Sequence, residues 1–599
     1  MRYLLVTLFA LFPLLLLSHG GGHPTRYVAA SGQDIGECGD ANSPCASIAY
    51  AVGKSAKGDT IVVASGDYDV DELDVFYLLS DMVTIKGGYH VSDGFKTQKP
   101  ETNVSTIRGV PAEYRERLAS RGFRLLQDTK GQELGLSTTQ KTWLKTYSKL
   151  TSEKVSATAC EDGFAGANEC HNIDRVSHTP LAEFTSQPSS ANDIWGFVDL
   201  NTNKEYAIIG VLNGTTVFDL SDAENPIEVG HISGAVSTWR DIKVYQYFDD
   251  AADAYKAYAY VTTEGVQGLQ ILDLNNLASG VTLAATLVGD FVSAHNVYIA
   301  NVDYATGVVM PGFEPFLYIA GSNRSGGVFL TYTLTNPVLP ELVSEGSSGY
   351  VHDTTTFIID DARTAACAPG HSPCEILVDF NENTVDIWDM TDKNAPSLIS
   401  ETSYTQVGYV HSGWWSQDKQ TIFVQDELDE RDSGLNTTLR AMDISDLLNP
   451  EIVGTYTGPT RAIDHNGFTV GDYYYMSNYR RGLTVIDVSD PTDMTEVGFF
   501  DTFAVPEENS ASFNGAWGAY PFLPSGNIIV SDIEYGLWIL KLNENDGSSP
   551  PPSPAPSPAP QPPINIDSGG GGALPLAMLL FLGVGCLISG RFNIRKSKN

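Results

Sequence analysis

The chain has 599 residues, with 73 acidic against 36 basic side chains and a net charge of −37. This length exceeds one ordinary domain, and an apolar content of 42% can supply a sizeable core. So acidic a surface repels nucleic acid and anionic lipid headgroups, which excludes both as partners and leaves divalent cations or a salty medium compatible.

Residues 1–20 read as an address. Arg2 precedes an apolar run to Leu17 and then Ser18-His19-Gly20, with small residues at the −3 and −1 positions of a cleavage after Gly20. This predicts a Sec signal and signal peptidase as a processing partner. A retained anchor is the competing reading, and the run is short for it. Six of the seven cysteines fall into close pairs, Cys38/Cys45, Cys160/Cys170 and Cys367/Cys374, with no Cys-x-x-Cys spacing. On an exported chain these pairs read as local disulfides and not as zinc ligands.

Residues 24–110 form the first folded unit. Tyr27-Val-Ala-Ala-Ser-Gly, Pro44-Cys-Ala-Ser-Ile-Ala-Tyr-Ala-Val and Gly58-Asp-Thr-Ile-Val-Val-Ala-Ser-Gly-Asp-Tyr68 resemble the opening coil of right-handed β-helix proteins. Ile61, Ile85 and Ile107, 24 and 22 residues apart, place one isoleucine in each coil. So few coils lack the long groove of β-helix polysaccharide lyases, whose chemistry is therefore not carried over. Residues 111–185 read as a partly helical connector. The stretch from Glu101 to Lys154 carries 10 basic and 6 acidic residues, a positive segment in an acidic protein.

From 186 to 545 one phrase recurs, as in Thr216-Val-Phe-Asp219-Leu-Ser and Leu483-Thr-Val-Ile-Asp487-Val-Ser. Its marker position falls at Asp219, Asp273, Thr333, Asp389, Asp443, Asp487 and Lys541, in steps of 54, 60, 56, 54, 44 and 54 residues. Alternation with period two means strand, and a period near 50 matches a four-stranded propeller blade. Seven copies predict an all-β protein: a seven-bladed β-propeller behind a short β-helix-like unit. A parallel solenoid is the main rival. The phrase resembles the LVIVD repeat, and the run as a whole is similar to choice-of-anchor B family proteins. That resemblance implies a surface protein with an exchangeable C-terminal anchor.

A second phased signal precedes each copy: Asn192, Arg240, His295, His352, His411, His465 and Asn514, each near the expected start of an innermost strand. These seven should ring one mouth of the central channel as a binding site. Four are histidines, which could ligate a metal or move protons. The alternative is a scaffold role, each bonding the backbone of its own blade, and repetition in every blade favours it. Asp426, Glu427, Asp429, Glu430 and Asp432 concentrate five carboxylates before a blade strand and could hold Ca²⁺ or another divalent cation. The spacing is not that of an EF-hand, and a solvated loop is the preferred reading.

Residues 546–568 form a Pro/Ser-rich linker, extended because proline fixes φ. Gly569, Gly570, Gly571 and Gly572 follow, then an apolar stretch over 573–589 and Arg591, Arg595, Lys596 and Lys598. The length suits one membrane crossing with the basic end cytoplasmic. Residues 569–599 resemble the GlyGly-CTERM sorting signal of Gram-negative bacteria, which implies cleavage near the glycines by a rhombosortase-type intramembrane protease. A permanent anchor is the alternative.

No nucleophile elbow, His-Glu-x-x-His or phosphate loop stands out. The expected function is a non-catalytic binding module at the cell surface, using a propeller face to hold an extracellular protein or glycan. The alternative is a secreted metal-assisted hydrolase with the histidine ring at its centre.

Overall fold

The repeated phrase forms the third strand of each of seven antiparallel sheets. In the computed structural model, residues 24–543 are described except 56–58, 70–77, 79–82, 109, 111–113, 127–137, 348 and 505–510. The signal over 1–20, the linker over 546–568 and the tail with its apolar stretch over 573–589 lie outside the described residues. Among the described residues, no helix is long and apolar enough to cross a membrane.

The first sheet runs Ala191–Asp199, Lys204–Val211, Gly214–Asp219, Ile227–Ser233, and the next five repeat its order. The first strands of successive sheets lie side by side: Ala191–Asp199, Arg240–Asp249, Asn296–Ala300, Asp353–Ile359, Val410–Trp415, Gly467–Val470 and Ala516–Tyr520. The last touches the first, so the seven sheets close into a β-propeller around one axis.

Closure is achieved by a segment that the sequence reading assigns to the connector. Ile173–Thr179 pairs antiparallel with Gly536–Leu542 and completes the seventh sheet as its outer strand. The sixth sheet is extended in the same way by Asn168–His171 against Thr495–Phe500. The propeller therefore begins before residue 186, because its last blade borrows an edge from the chain that precedes the first.

The marker aspartate explains itself locally. At the end of each third strand its carboxylate accepts the backbone N–H two residues on: Asp219 from Ser221 at 2.8 Å, Asp273 from Asn275 at 2.8 Å, Asp389 from Thr391 at 3.0 Å, Asp443 from Ser445 at 2.7 Å and Asp487 from Ser489 at 2.9 Å. These are Asx turns that release the chain from the strand and satisfy a donor the ladder no longer pairs. Thr333 does the same through its hydroxyl, accepting from Thr335 at 3.3 Å. The Lys541 side chain, inside the strand Gly536–Leu542, has no acceptor to offer.

The N-terminal unit consists of two three-stranded sheets. Thr25–Val28, Thr60–Ala64 and Thr84–Tyr89 run parallel in one, and Gly66–Asp69, Ser105–Arg108 and Phe123–Leu125 run parallel in the other. Ile61 stands opposite Ile85, as expected, but Ile107 belongs to the second sheet, opposite Tyr68. The three side chains still meet in one buried core, which continues into the sixth and seventh blades. Tyr147 of the helix Thr138–Ser152 packs edge-on against Tyr535 at 5.7 Å, tying connector to propeller. Cys38–Cys45, Cys160–Cys170 and Cys367–Cys374 are all disulfide-bonded, as befits an exported protein.

If the marker carboxylates act as turn caps, Asp487→Ala should destabilise by about 1 kcal/mol while Lys541→Ala stays near neutral. Urea denaturation of the two variants checks this, and equal losses would contradict the capping account.

Candidate functional site

The inner strands start at one end of the axis, and the seven ring residues sit there, with Arg240 and His411 as the first residues of their strands or next to them. All seven are buried. His352 Nδ1 meets the carbonyl of His411 at 2.9 Å, His411 Nδ1 that of His465 at 2.9 Å, and His465 Nδ1 that of Trp517 at 2.5 Å. A carbonyl can only accept, so each of these Nδ1 atoms carries the proton. The imidazoles stand in a file, each tilted to the next by 47°, 47° and 41°, with ring centres 4.1 Å apart for His295–His352, 4.1 Å for His352–His411 and 4.3 Å for His411–His465.

This corrects the expectation that each histidine bonds its own blade. The partner is the neighbouring blade, because inner strands crowd the axis and the adjacent strand is the nearer one. His295 Nδ1 reaches Glu264 of the preceding blade at 2.7 Å. Asn192 donates to the Thr238 carbonyl at 3.0 Å, and Arg240 returns to the Val211 carbonyl at 2.9 Å and to that of Ala235. Asn514 alone turns inward, donating to Glu534 of its own blade at 2.5 Å.

One step along the strands lies a buried charged layer. Asp241 pairs with Lys243 at 2.6 Å and accepts the Val297 N–H of the next blade at 2.8 Å. Lys243 sits 4.5 Å from the centre of the Trp195 ring. Burial, with the Asp241 charge beside it, holds the Asp193 carboxyl well above the usual carboxylate range.

The far end of the channel is stoppered. Between Asn296–Ala300 and Phe316–Ala320 the third blade sends a loop across the axis. Its Ala305 carbonyl accepts from Val198 at 2.9 Å, and its Gly307 carbonyl accepts from Gln246 at 2.8 Å. Tyr304 packs there against Trp195, Trp414, Trp415 and Phe522. These tryptophans fill the channel and do not line an open mouth. The short phrases around the inner strands gave no sign of this loop, since it interrupts the repeat.

The acidic segment is not a solvated loop. Asp426, Glu427, Asp429 and Glu430 are at most 1% exposed, and Asp432 alone faces solvent. Nor do the five converge on one ion. Asp426 accepts from Tyr404, Gly408 and Tyr409 at 3.0, 2.9 and 2.6 Å, while Asp429 pairs with Arg440 at 2.5 Å. Glu430 turns to Asp464, and the two stand with Asp429 in a cluster whose oxygens lie within 4.8 Å. Glu427 points to the ring, accepting from Tyr479 at 2.7 Å, with His465 Nε2 at 3.5 Å and His411 Nε2 at 3.9 Å. The segment leaves the second strand Thr421–Asp426 directly into the propeller mouth, which buries it.

An open cleft of about 650 Å³ lies where the N-terminal unit meets the propeller. Lys86, Arg117 and Arg121 line it from one side, and Gln187, Ser189 and Glu534 from the other. The excess of basic residues between Glu101 and Lys154 foreshadows two of its three cations.

The LVIVD repeat family model matches residues 469–502, which span most of the sixth blade. No curated protein matches. Among solved structures, a chain in the crystal structure of the mitotic checkpoint complex aligns with 12% identity over 60% of this chain and 96% of that one, at a TM-score of 0.35. A protein from Lactobacillus plantarum aligns with 13% identity over 57% of this chain and 89% of that one, at a TM-score of 0.37.

Burial raises the carboxyls of Asp353, Asp501 and Glu382 to about 7, and pushes Asp464, Asp532 and Glu430 upward as well. Between the unfolded and folded values such a group is protonated only in the folded chain. Its stabilisation is therefore full at low pH and lost as the pH rises through about 7. His178, driven down to about 3 by burial, opposes this below about pH 6.5. Six carboxyls outweigh the imidazoles of His178 and His231, the latter also lowered by burial, so the melting temperature should be higher near pH ~5 than near pH ~8. Calorimetry across that range would refute the account if the order were reversed.

Proposed function

We propose that this chain is an exported cell-surface binding protein that holds an anionic extracellular glycan in the cleft between its N-terminal unit and its propeller. One observation carries the reading: Lys86, Arg117 and Arg121 converge on a single open cleft in a protein of net charge −37. The net charge repels anions from the surface at large, but it is screened beyond about a Debye length, so the three cations act locally and direct an anionic ligand to the cleft. Gln187 and Ser189, in the segment that leads from the closing strand into the first blade, supply hydrogen-bonding groups on the opposite wall, suited to hydroxyls beside carboxylates or sulfates. Six of the seven ring residues are engaged in bonds between blades, which supports a scaffold role for the ring.

The three disulfides support export. The strand phrase and the match to the LVIVD repeat model support kinship with the choice-of-anchor B family. The glycines 569–572, the apolar stretch and the basic end support sorting by a rhombosortase-type protease, glycine being the residue that most readily leaves a helix for extended backbone.

Binding of the purified full chain to a combined glycan and peptide array tests the central claim. Acidic glycans should be retained, and Arg117→Ala with Arg121→Ala should weaken them by more than about tenfold at moderate salt. Retention of neutral glycans or peptides alone, unaffected by the two substitutions, would overturn it. For processing, the intact mass of surface material from a producing host should exclude Cys586. A mass that includes it would leave the anchor permanent.

A further inference from the structure

Three groups of ligand-type side chains gather among the described residues. Cys367, Cys374 and Asp389 are already spent, since the two sulfurs are bonded to each other. Asp429, Glu430 and Asp464 are balanced internally: Arg440 pairs with Asp429, and burial with Asp464 alongside raises the Glu430 carboxyl well above its usual range. The third group, His411, His465 and Glu427, has a different character.

We propose that His411, His465 and Glu427 form a binding site for one divalent transition-metal ion, Zn²⁺ foremost, at the ring end of the propeller axis. The first argument is the tautomer. Both imidazoles give their Nδ1 proton to a backbone carbonyl of the next blade, at 2.9 and 2.5 Å. The neutral ring then keeps its lone pair on Nε2, and in both residues it is Nε2 that faces Glu427. A metal-ligating histidine is held in this way, with its remote nitrogen donating to a carbonyl.

The second argument is spacing. Two donors bound to one tetrahedral Zn²⁺ at ordinary bond lengths stand about 3.4 Å apart. His465 Nε2 and Glu427 Oε1 are 3.5 Å apart, and His411 Nε2 and Glu427 Oε2 are 3.9 Å apart. Both distances exceed a hydrogen bond and leave room for an ion between the atoms. The third argument is support. Tyr479 Oη donates to Glu427 at 2.7 Å, fixing the carboxylate, and the adjacent inner strands fix both rings 4.3 Å apart. Glu427 is 1% exposed, and a carboxylate so deeply placed gains most from a cation brought to it. Two imidazoles and a carboxylate are the ligand set of Zn²⁺ and of its neighbours in the series, whereas Ca²⁺ and Mg²⁺ prefer oxygen alone.

The site is separate from the cationic cleft, so array binding and metal binding fail or succeed independently. The test is to produce the full chain in Zn²⁺-supplemented medium, pass it through metal-free buffer and count zinc by mass spectrometry. About one Zn²⁺ per chain is expected. Glu427→Gln keeps the shape of the side chain and an acceptor for Tyr479, and should lower zinc retention by more than about tenfold, with Asp432→Asn as an unaffected control. Co²⁺ added to stripped wild-type chain should give the visible absorption of a low-symmetry complex, which is read without any variant. Folded wild-type chain that retains no zinc and gives no Co²⁺ spectrum would overturn the proposal, as would full zinc retention by a folded Glu427→Gln variant.

Discussion

Seven strands cannot meet around one axis without losing water from the polar groups on their inner edges. The donors and acceptors that the closing ring buries need partners within the protein, and most of the ring residues find them in the adjacent blade. The file of imidazoles is one answer to that demand, with Nδ1 of one blade satisfied by the carbonyl of the next at three successive positions. The Asp241 carboxylate, shared between Lys243 and the Val297 N–H, is another. The same crowding explains the acidic groups with raised proton affinity, since burial without enough nearby cations disfavours the charged form of a carboxyl. Blade packing, axial hydrogen bonding and titration behaviour thus share one cause.

Much of this was legible in the chain. The seven-fold count followed from the phased phrase, and the phrase proved to be a strand ending in a self-capping turn. Even its exception at Thr333 obeyed the same rule through a hydroxyl. The ring positions were legible because they recur at the start of each inner strand. Their partners were not, since period and spacing describe a blade in isolation and say nothing about which neighbour is nearer. The spacing of Ile61, Ile85 and Ile107 placed one in each coil, but a repeat length cannot tell which of two parallel sheets receives a strand, and Ile107 lies in the second.

The acidic segment shows the limit most plainly. Five carboxylates in seven residues read as solvent-facing from composition, yet four of them are buried and each answers to a different group. Arg440, Tyr404, Tyr479 and Asp464 come from other strands and loops. The stopper loop around Tyr304 was invisible because it belongs to one blade only. Irregular features carry what the repeat cannot, and they are where this propeller differs from a bare ring.

The closing strand has a consequence for the order of assembly. His178 and Tyr535, hydrogen-bonded across it, are 357 residues apart in the chain. A chain that emerges from its N-terminus presents Ile173–Thr179 long before Gly536–Leu542 exists. Until then the early segment has an unpaired edge and the growing stack of sheets has two open faces. Joining the ends of so long a loop adds only slowly to the entropic cost, but it makes the final event strongly non-local and hence slow. Completion of the ring therefore cannot precede synthesis of Gly536–Leu542, and it locks the first-made part of the propeller to the last.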